Sequence, residues 1–392
     1  MSGPPRMGLP PLALYLHFPW CVSKCPYCDF NSHAAPGELP VGRYLAALEA
    51  DLEAQAPLVA GRPIVSVFLG GGTPSLFQPE AIARVLGAAR RVLAFAPDAE
   101  VTLEANPGTI ERGRFAGYRD AGVNRVSLGA QSFDAATLKT LGRIHSPEET
   151  RRAAEELHAA ALDNFNLDLM YALPGQSREA ALADVDAALA LAPSHLSLYQ
   201  LTLEPGTVFA ARPPALPGDD AAHAMLDACL ERLEVRGFGR YEVSAYAREG
   251  RHCRHNLNYW EFGDYLGVGA GAHGKRSGSG ARDIVRTTRP REPRRYMAAA
   301  AGLPEAREVG AADRPFEFLM NALRLREGFE PALFEARTGL AWTSIEARMG
   351  RLEARGLVER SATRCRPSRR GMDFLNELLL DFLPESPAGA AS

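Results

Sequence analysis

No apolar stretch in the 392-residue chain approaches the roughly 18 residues that a bilayer crossing needs. The first residues, MSGPPRMGLPP, also lack the apolar centre of a secretion signal. Both absences predict a cytoplasmic protein. An excess of charge is missing too, since the net charge is −3, so no nucleic-acid partner is expected. The basic run RTTRPREPRR (286–295) is local and proline-rich, and reads first as a solvated loop. Cysteine is scarce, with six in the whole chain, yet three fall within eight positions of LHFPWCVSKCPYCDFNSH (16–33). In a reducing compartment such crowding points to metal ligation or catalysis rather than to disulfides. The other three, Cys229, Cys253 and Cys365, are scattered and read as small buried hydrophobes. Hydrophobic residues, at 46%, suffice for one large core and a smaller one, hence two or three domains.

Short β-rich runs alternate with Ala/Leu/Glu-rich segments. The runs are LALYLHF (12–18), IVSVFLG (64–70), EVTLEA (100–105), NRVSLGA (124–130), FNLDLMYAL (165–173) and HLSLYQLTL (195–203). Helical patterns lie between them at 42–56, 79–94 and 146–162, with Pro79 and Pro147 placed for a first turn and Ser146 for a cap. Strand followed by helix, six times over, predicts a parallel sheet with right-handed crossovers. Six units fall short of the eight of a closed barrel, so the expected fold class is α/β, an open partial (β/α)6 TIM-like barrel. The unusual polar residues follow these runs. Glu104, Gln131 and Asp168 lie at or near C-terminal strand ends, where parallel folds build their sites.

Cys21, Cys25 and Cys28 form C-x3-C-x2-C. A structural zinc site takes four protein ligands, and only His17 and His33 stand nearby to complete one, without a familiar spacing. A redox pair would use Cys25 and Cys28 and leave Cys21 idle. Three thiolates suit a four-iron, four-sulfur (4Fe–4S) cluster whose fourth iron keeps an open position. The glycines at 70–72 after the second run would let backbone N–H groups approach a ligand closely.

This layout resembles the radical S-adenosylmethionine (SAM) superfamily. The resemblance implies that the methionine end of SAM chelates the open iron, and that an electron from the cluster cleaves the sulfonium to a 5′-deoxyadenosyl radical. LYLHFPWC, FLGGGTPS, EANPGT, GAQSF, LGRIHS, NLDLMYALPGQ and LEPGT resemble the HemN-like group of oxygen-independent coproporphyrinogen III oxidases. That resemblance runs from about residue 12 to about 385 and implies SAM contacts by Tyr15, Gly71, Gly72, Thr73, Glu104, Gln131, Arg143 and Asp168. The oxidases carry a further cysteine two positions after the third, where this chain has Phe30. On that departure the chain resembles instead the sister family of heme chaperones, HemW. HNLNYW (255–260) is similar to that family's H-N-x-x-Y-W signature. His255 is the implied axial ligand to heme iron, with Cys253 as rival, and Tyr259 and Trp260 are the implied stacking faces. Arg251, Arg254 and the 286–295 run are candidate partners for propionates.

The implied function is heme chaperoning with a 4Fe–4S cluster, SAM and heme as cofactors, delivering heme to acceptor hemoproteins. A decarboxylating coproporphyrinogen oxidase and a zinc-structured binding module are the alternatives. A reducing electron donor of flavodoxin or ferredoxin type is implied, and a homodimer and peripheral membrane association are allowed. The expected organisation is a flexible N-terminus (1–11), the partial barrel (12–240), the HNLNYW segment with a linker (241–312), a helical winged-helix-like domain (313–384) and a disordered tail (385–392).

Overall fold

The computed structural model describes residues 8–35, 37–108, 113–278 and 283–383. The expected disordered tail and most of the expected flexible N-terminus lie outside the described residues. Of the latter, Pro10 is buried and its carbonyl accepts a 2.6 Å hydrogen bond from Arg62 Nη2, and the Pro11 carbonyl accepts from Asp264 N, so residues 10 and 11 are tied to the packed body.

Six parallel strands form the centre: β1 (Leu12–Phe18), β2 (Ile64–Gly71), β3 (Phe95–Ala105), β4 (Arg125–Gln131), β5 (Phe165–Tyr171) and β6 (His195–Gln200). They pair in sequence order, as repeated strand–helix crossovers require. The strands are nearly continuous apolar runs because helices cover the sheet. Helices Val41–Gln55, Pro79–Val92, Pro147–Ala159 and Arg178–Ala190 contribute Leu48, Ile82, Leu157 and Val185 to that core. Ser146 starts the third of these helices with a reciprocal capping box to Glu149. Such a cap stabilises a helix by about 1 kcal/mol.

The sheet extends past the six expected strands at both edges. Beyond β6 lie β7 (Gly239–Arg240) and β8 (Ala245–Ala247), paired antiparallel. Beyond β1 lie β9 (Asp264–Val268), β10 (His273–Ser277), β11 (Ile284–Thr288) and β12 (Glu305–Glu308). β9 runs parallel to β1 and is a seventh parallel strand, whereas β10 to β12 are antiparallel. The resulting twelve-stranded order is β12-β11-β10-β9-β1-β2-β3-β4-β5-β6-β8-β7, an open sheet. Within 241–312, expected to be the HNLNYW segment with a linker, the described residues include β8 to β12 of this sheet and the helices Arg254–Trp260 and Pro293–Ala299. The C-terminal region follows with helices Arg314–Ala322, Pro331–Thr338 and Thr343–Ala354, the hairpin Val358–Arg360/Cys365–Pro367, and two short helices. Its core of Phe318, Phe334, Met349 and Leu352 also takes in Phe262 and Ile284, which fastens it to the β9–β11 edge.

Candidate active site

The loop after β1 carries the three cysteines. Trp20–Cys21 pairs with His33–Ala34, which pins both ends of the loop. All six cysteines are unpaired thiols, so the crowded three are not a disulfide staple. Cys21, Cys25 and Cys28 line one cavity of about 380 Å³ at the C-terminal ends of the parallel strands. Two sulfurs bound to one zinc at about 2.3 Å each cannot lie more than about 4.6 Å apart. Among the described residues, Glu100, Cys253 and His255 form the one group with three ligand atoms within 4.8 Å of one another. The three loop sulfurs are not all within 4.8 Å of one another, a wider spacing than one zinc ion holds. His17 and His33 do not line this cavity, so neither completes a zinc site. Each sulfur has a polar neighbour: Thr73 Oγ1 at 3.5 Å from Cys21, Arg143 Nη1 at 3.7 Å from Cys25 and Ser32 Oγ at 3.9 Å from Cys28. Burial raises the Cys21 and Cys28 thiols above their ordinary pKa.

Gly71, Gly72, Thr73, Glu104, Gln131, Arg143 and Asp168 all line the same cavity. Sequence distances of up to 147 positions, from Cys21 to Asp168, are closed by the parallel register. Arg143 is not a surface cation. It is held by Asn106 Oδ1 and by the Gly129 carbonyl at 2.9 Å, beside Cys25. Gln131 adopts φ +67, a left-handed backbone that a non-glycine residue tolerates only where the surroundings impose it. Asp168 accepts from Ser127 Oγ at 3.1 Å and Asn166 Nδ2 at 2.8 Å. Asn166 in turn bonds His195 Nδ1 at 2.7 Å, and His195 Nε2 meets Tyr241 Oη at 2.8 Å, so the strand-borne carboxylate has a buried orienting chain behind it.

The glycine loop works differently from the expectation. Its N–H groups do not face a ligand: Gly71 N donates to Glu104 Oε2 at 3.0 Å, Gly72 N to the Phe18 carbonyl at 2.7 Å and Thr73 N to the Trp20 carbonyl at 2.8 Å. A Cβ at Gly72 would stand 2.6 Å from the Trp20 carbonyl oxygen. The missing side chain therefore lets this loop lie against the cysteine loop. Tyr15 is also placed elsewhere. Its hydroxyl bonds His17 Nδ1 at 2.8 Å, and it lines a second cavity.

That second cavity, about 840 Å³, shares Asp29, Phe30, Gly71 and Glu104 with the first. Tyr259 and Trp260 line it, as do Phe68, Tyr265, His273, Arg286 and Arg291. His255 does not. It is 5% exposed, stacks on Phe68 with centroids 4.2 Å apart, and bonds Glu100 Oε1 through Nδ1 at 3.0 Å. Cys253 lies beneath it, 1% exposed. Glu100 also accepts from the backbone N–H of Arg254 and His255, which anchors the first turn of helix Arg254–Trp260. Burial alone would raise the Glu100 pKa, but the hydrogen bond and charge of His255, with Arg125, hold it well below the carboxylate range. His255 is thus the root of the helix that carries Tyr259 and Trp260, and it is screened from the cavity by Phe68. Of the proposed propionate partners, Arg251 and Arg254 lie off the cavity, whereas Arg286 and Arg291 of the basic run line it. Sequence reasoning missed Asn106, which links Thr73 and Arg143, although it sits inside the EANPG motif.

Fold and thiol site together define a radical SAM protein. The Radical SAM superfamily model matches residues 15–188 and the HemN C-terminal domain model residues 310–374. The solved structure of Escherichia coli coproporphyrinogen III oxidase (HemN) superposes with a TM-score of 0.81 at 22% identity, covering 96% of this chain and 91% of that one, a likeness of fold alone. Sequence relatives resolve the family further. "Heme chaperone HemW" of Escherichia coli (strain K12) is 49% identical over 377 residues, 96% of this chain and 99% of that one. Its Haemophilus influenzae namesake is 45% identical over 381 residues, with 96% and 99% covered. "Radical S-adenosyl methionine domain-containing protein 1, mitochondrial" of Mus musculus is 36% identical, with 95% and 87% covered. The chain belongs to the HemW heme chaperone family.

Proposed function

We propose that this protein is a heme chaperone: it holds a 4Fe–4S cluster on Cys21, Cys25 and Cys28, SAM beside the cluster and heme in the second cavity, and delivers heme to acceptor hemoproteins. The observation that carries this reading is the second cavity. Its walls are aromatic, as a flat apolar macrocycle requires, and Arg291 offers a guanidinium group for a carboxylate. The cluster, when bound, supplies an electron to the sulfonium of SAM. The chain's own contribution is positional: Arg143 places a buried cation at Cys25, and Asp168 and Gln131 present polar atoms to the nucleoside side of the first cavity. Phe30 stands on the wall common to both cavities, 61% exposed, where the oxidases have a thiol. An aromatic ring there supplies no thiolate, which disfavours the oxidase reading. The division at about residues 240 and 313, a cytoplasmic location and a flavodoxin- or ferredoxin-type electron donor belong to the same reading.

The test is heme titration of the anaerobically reconstituted full chain, followed by mixing with an apo-hemoprotein and, in parallel, with coproporphyrinogen III. Saturable heme uptake, transfer to the acceptor and no protoporphyrinogen IX are expected. Turnover of coproporphyrinogen III, or no heme uptake, overturns the proposal.

Glu104 predicts a pH dependence. Burial, then the charge of Asp168, push its pKa up to about 8, so its carboxyl is protonated at neutral pH. SAM carries a sulfonium and an ammonium group, and both favour the carboxylate. SAM affinity is therefore expected to rise with pH up to about 8 and then level off. The slope is at most about tenfold per pH unit for one linked proton. Glu104→Gln should flatten the profile in equilibrium binding. An equally steep profile in the variant removes Glu104 as its source.

A further inference from the structure

The second cavity contains two imidazoles, and they are not equivalent. His17 is 4% exposed and both of its ring nitrogens are engaged, Nδ1 with Tyr15 Oη at 2.8 Å and Nε2 with the Asn31 carbonyl at 3.0 Å. To bind anything it must give up one of them. His273 is exposed at the first position of β10, and among the described residues its ring makes no hydrogen bond. Its backbone is nevertheless fixed. It stands in register with Thr288 of β11, and the residue before it, Ala272, accepts from Arg289 N at 2.9 Å. On the other side it presses against β9 so closely that a Cβ at Gly267 would stand 2.0 Å from the His273 carbonyl oxygen. A free ring on a rigid strand, at the mouth of an aromatic cavity, is a preorganised ligand.

The two cavity arginines divide in the same way. Arg286 is already committed to Glu317 and donates to Tyr265 Oη at 3.0 Å. Arg291 has no ion pair among the described residues, and the one hydrogen bond of its side chain there is a long 3.4 Å contact from Nε to Asn31 Oδ1. Its remaining donors are free for a carboxylate.

We infer that His273 is the axial ligand to heme iron in the second cavity, in place of His255, and that Arg291 receives a heme propionate. The inference rests on the reading that this cavity holds heme. Of the two imidazoles there, His273 alone can reach a guest without breaking a hydrogen bond it already makes.

Hemin titration of the anaerobically reconstituted full chain tests it, read by absorption and electron paramagnetic resonance. Wild type and His255→Gln, which keeps a donor for Glu100 and removes the imidazole, should show the same histidine-ligated spectrum. His273→Ala should lose it, and free imidazole should restore it. His273→Tyr should replace it with the spectrum of a phenolate-bound iron, which keeps the test valid if the alanine variant folds poorly. Arg291→Ala should weaken binding roughly tenfold with the spectrum unchanged, the loss of one charge-assisted contact. If wild type takes up no heme, the reading of the cavity fails and the ligand assignment with it. If wild type binds and His273→Ala keeps the wild-type spectrum, or His255→Gln loses it, the assignment to His273 is overturned while the chaperone reading stands.

Discussion

Replacing Cys21, Cys25 or Cys28 singly with alanine is expected to take anaerobically reconstituted protein from about four irons per chain to almost none. The broad absorption of the cluster at the blue end of the visible range should vanish in parallel. The effect is all-or-none because each sulfur serves one corner and has no substitute. Among the described residues the remaining cysteines are far from interchangeable: Cys229, Cys253 and Cys365 are each 1% exposed and lie outside the cavity. Alanine at any of those three should leave the iron content unchanged, which controls for a general effect of thiol loss. Burial raises the Cys21 and Cys28 thiols, and iron binds the thiolate, so loading should release protons and proceed further as pH rises. Stoichiometric zinc without sulfide in the wild type, or full iron in the Cys28→Ala variant, would contradict the cluster assignment.

Much of this site could be read before any coordinates. Glu104, Gln131 and Asp168 are polar groups on apolar strands, the rule that parallel sheets place their sites at C-terminal strand ends singles them out, and all three line the first cavity. Tyr15 and His17 stand two positions apart on β1 and so share a face, and their side chains touch. What stayed hidden depends on partners distant in sequence. Nothing local marks His255 as buried, because its anchor, Glu100, lies 155 positions earlier. The first helical turn of Arg254–Trp260 needs acceptors for its N–H groups, and a carboxylate from β3 supplies them in place of a local cap. The strand DYLGV was equally opaque. It is short, glycine-containing and followed by the glycine-rich GAGAHG, so it reads as a loop until β1, some 250 positions earlier, is placed beside it. The glycine triplet was read for its N–H groups, but Glu104 claims that of Gly71, and the Phe18 carbonyl at the end of β1 claims that of Gly72.

Asp264→Asn is expected to destabilise the protein by about 3 kcal/mol at neutral pH, the cost of removing one partner from a buried ion pair. Asp264 is fully buried and bonds Lys275 Nζ at 3.0 Å, Arg62 Nη2 at 2.8 Å and the Ser277 N–H at 2.9 Å. Its own N–H donates to the Pro11 carbonyl ahead of β1, so a single residue ties β1, β9 and β10 together. Asparagine keeps the shape and removes the charge that two cations face. Lys275 is 1% exposed, and burial lowers its pKa to about 8 even with the carboxylate beside it. Its folded pKa is below the unfolded value, so the folded state binds fewer protons and stability rises with pH between the two values. Without Asp264 the folded pKa falls further and that rise begins below pH 8, where the wild type is still flat. The deficit of the variant should therefore shrink as the pH is raised from 7 to 9. Denaturant midpoints at both pH values measure it, and equal midpoints for variant and wild type at pH 7 would remove the tie between these strands. The same strand carries His273, so a loosened β10 should also weaken heme uptake, while iron loading at the opposite end of the shared wall stays intact.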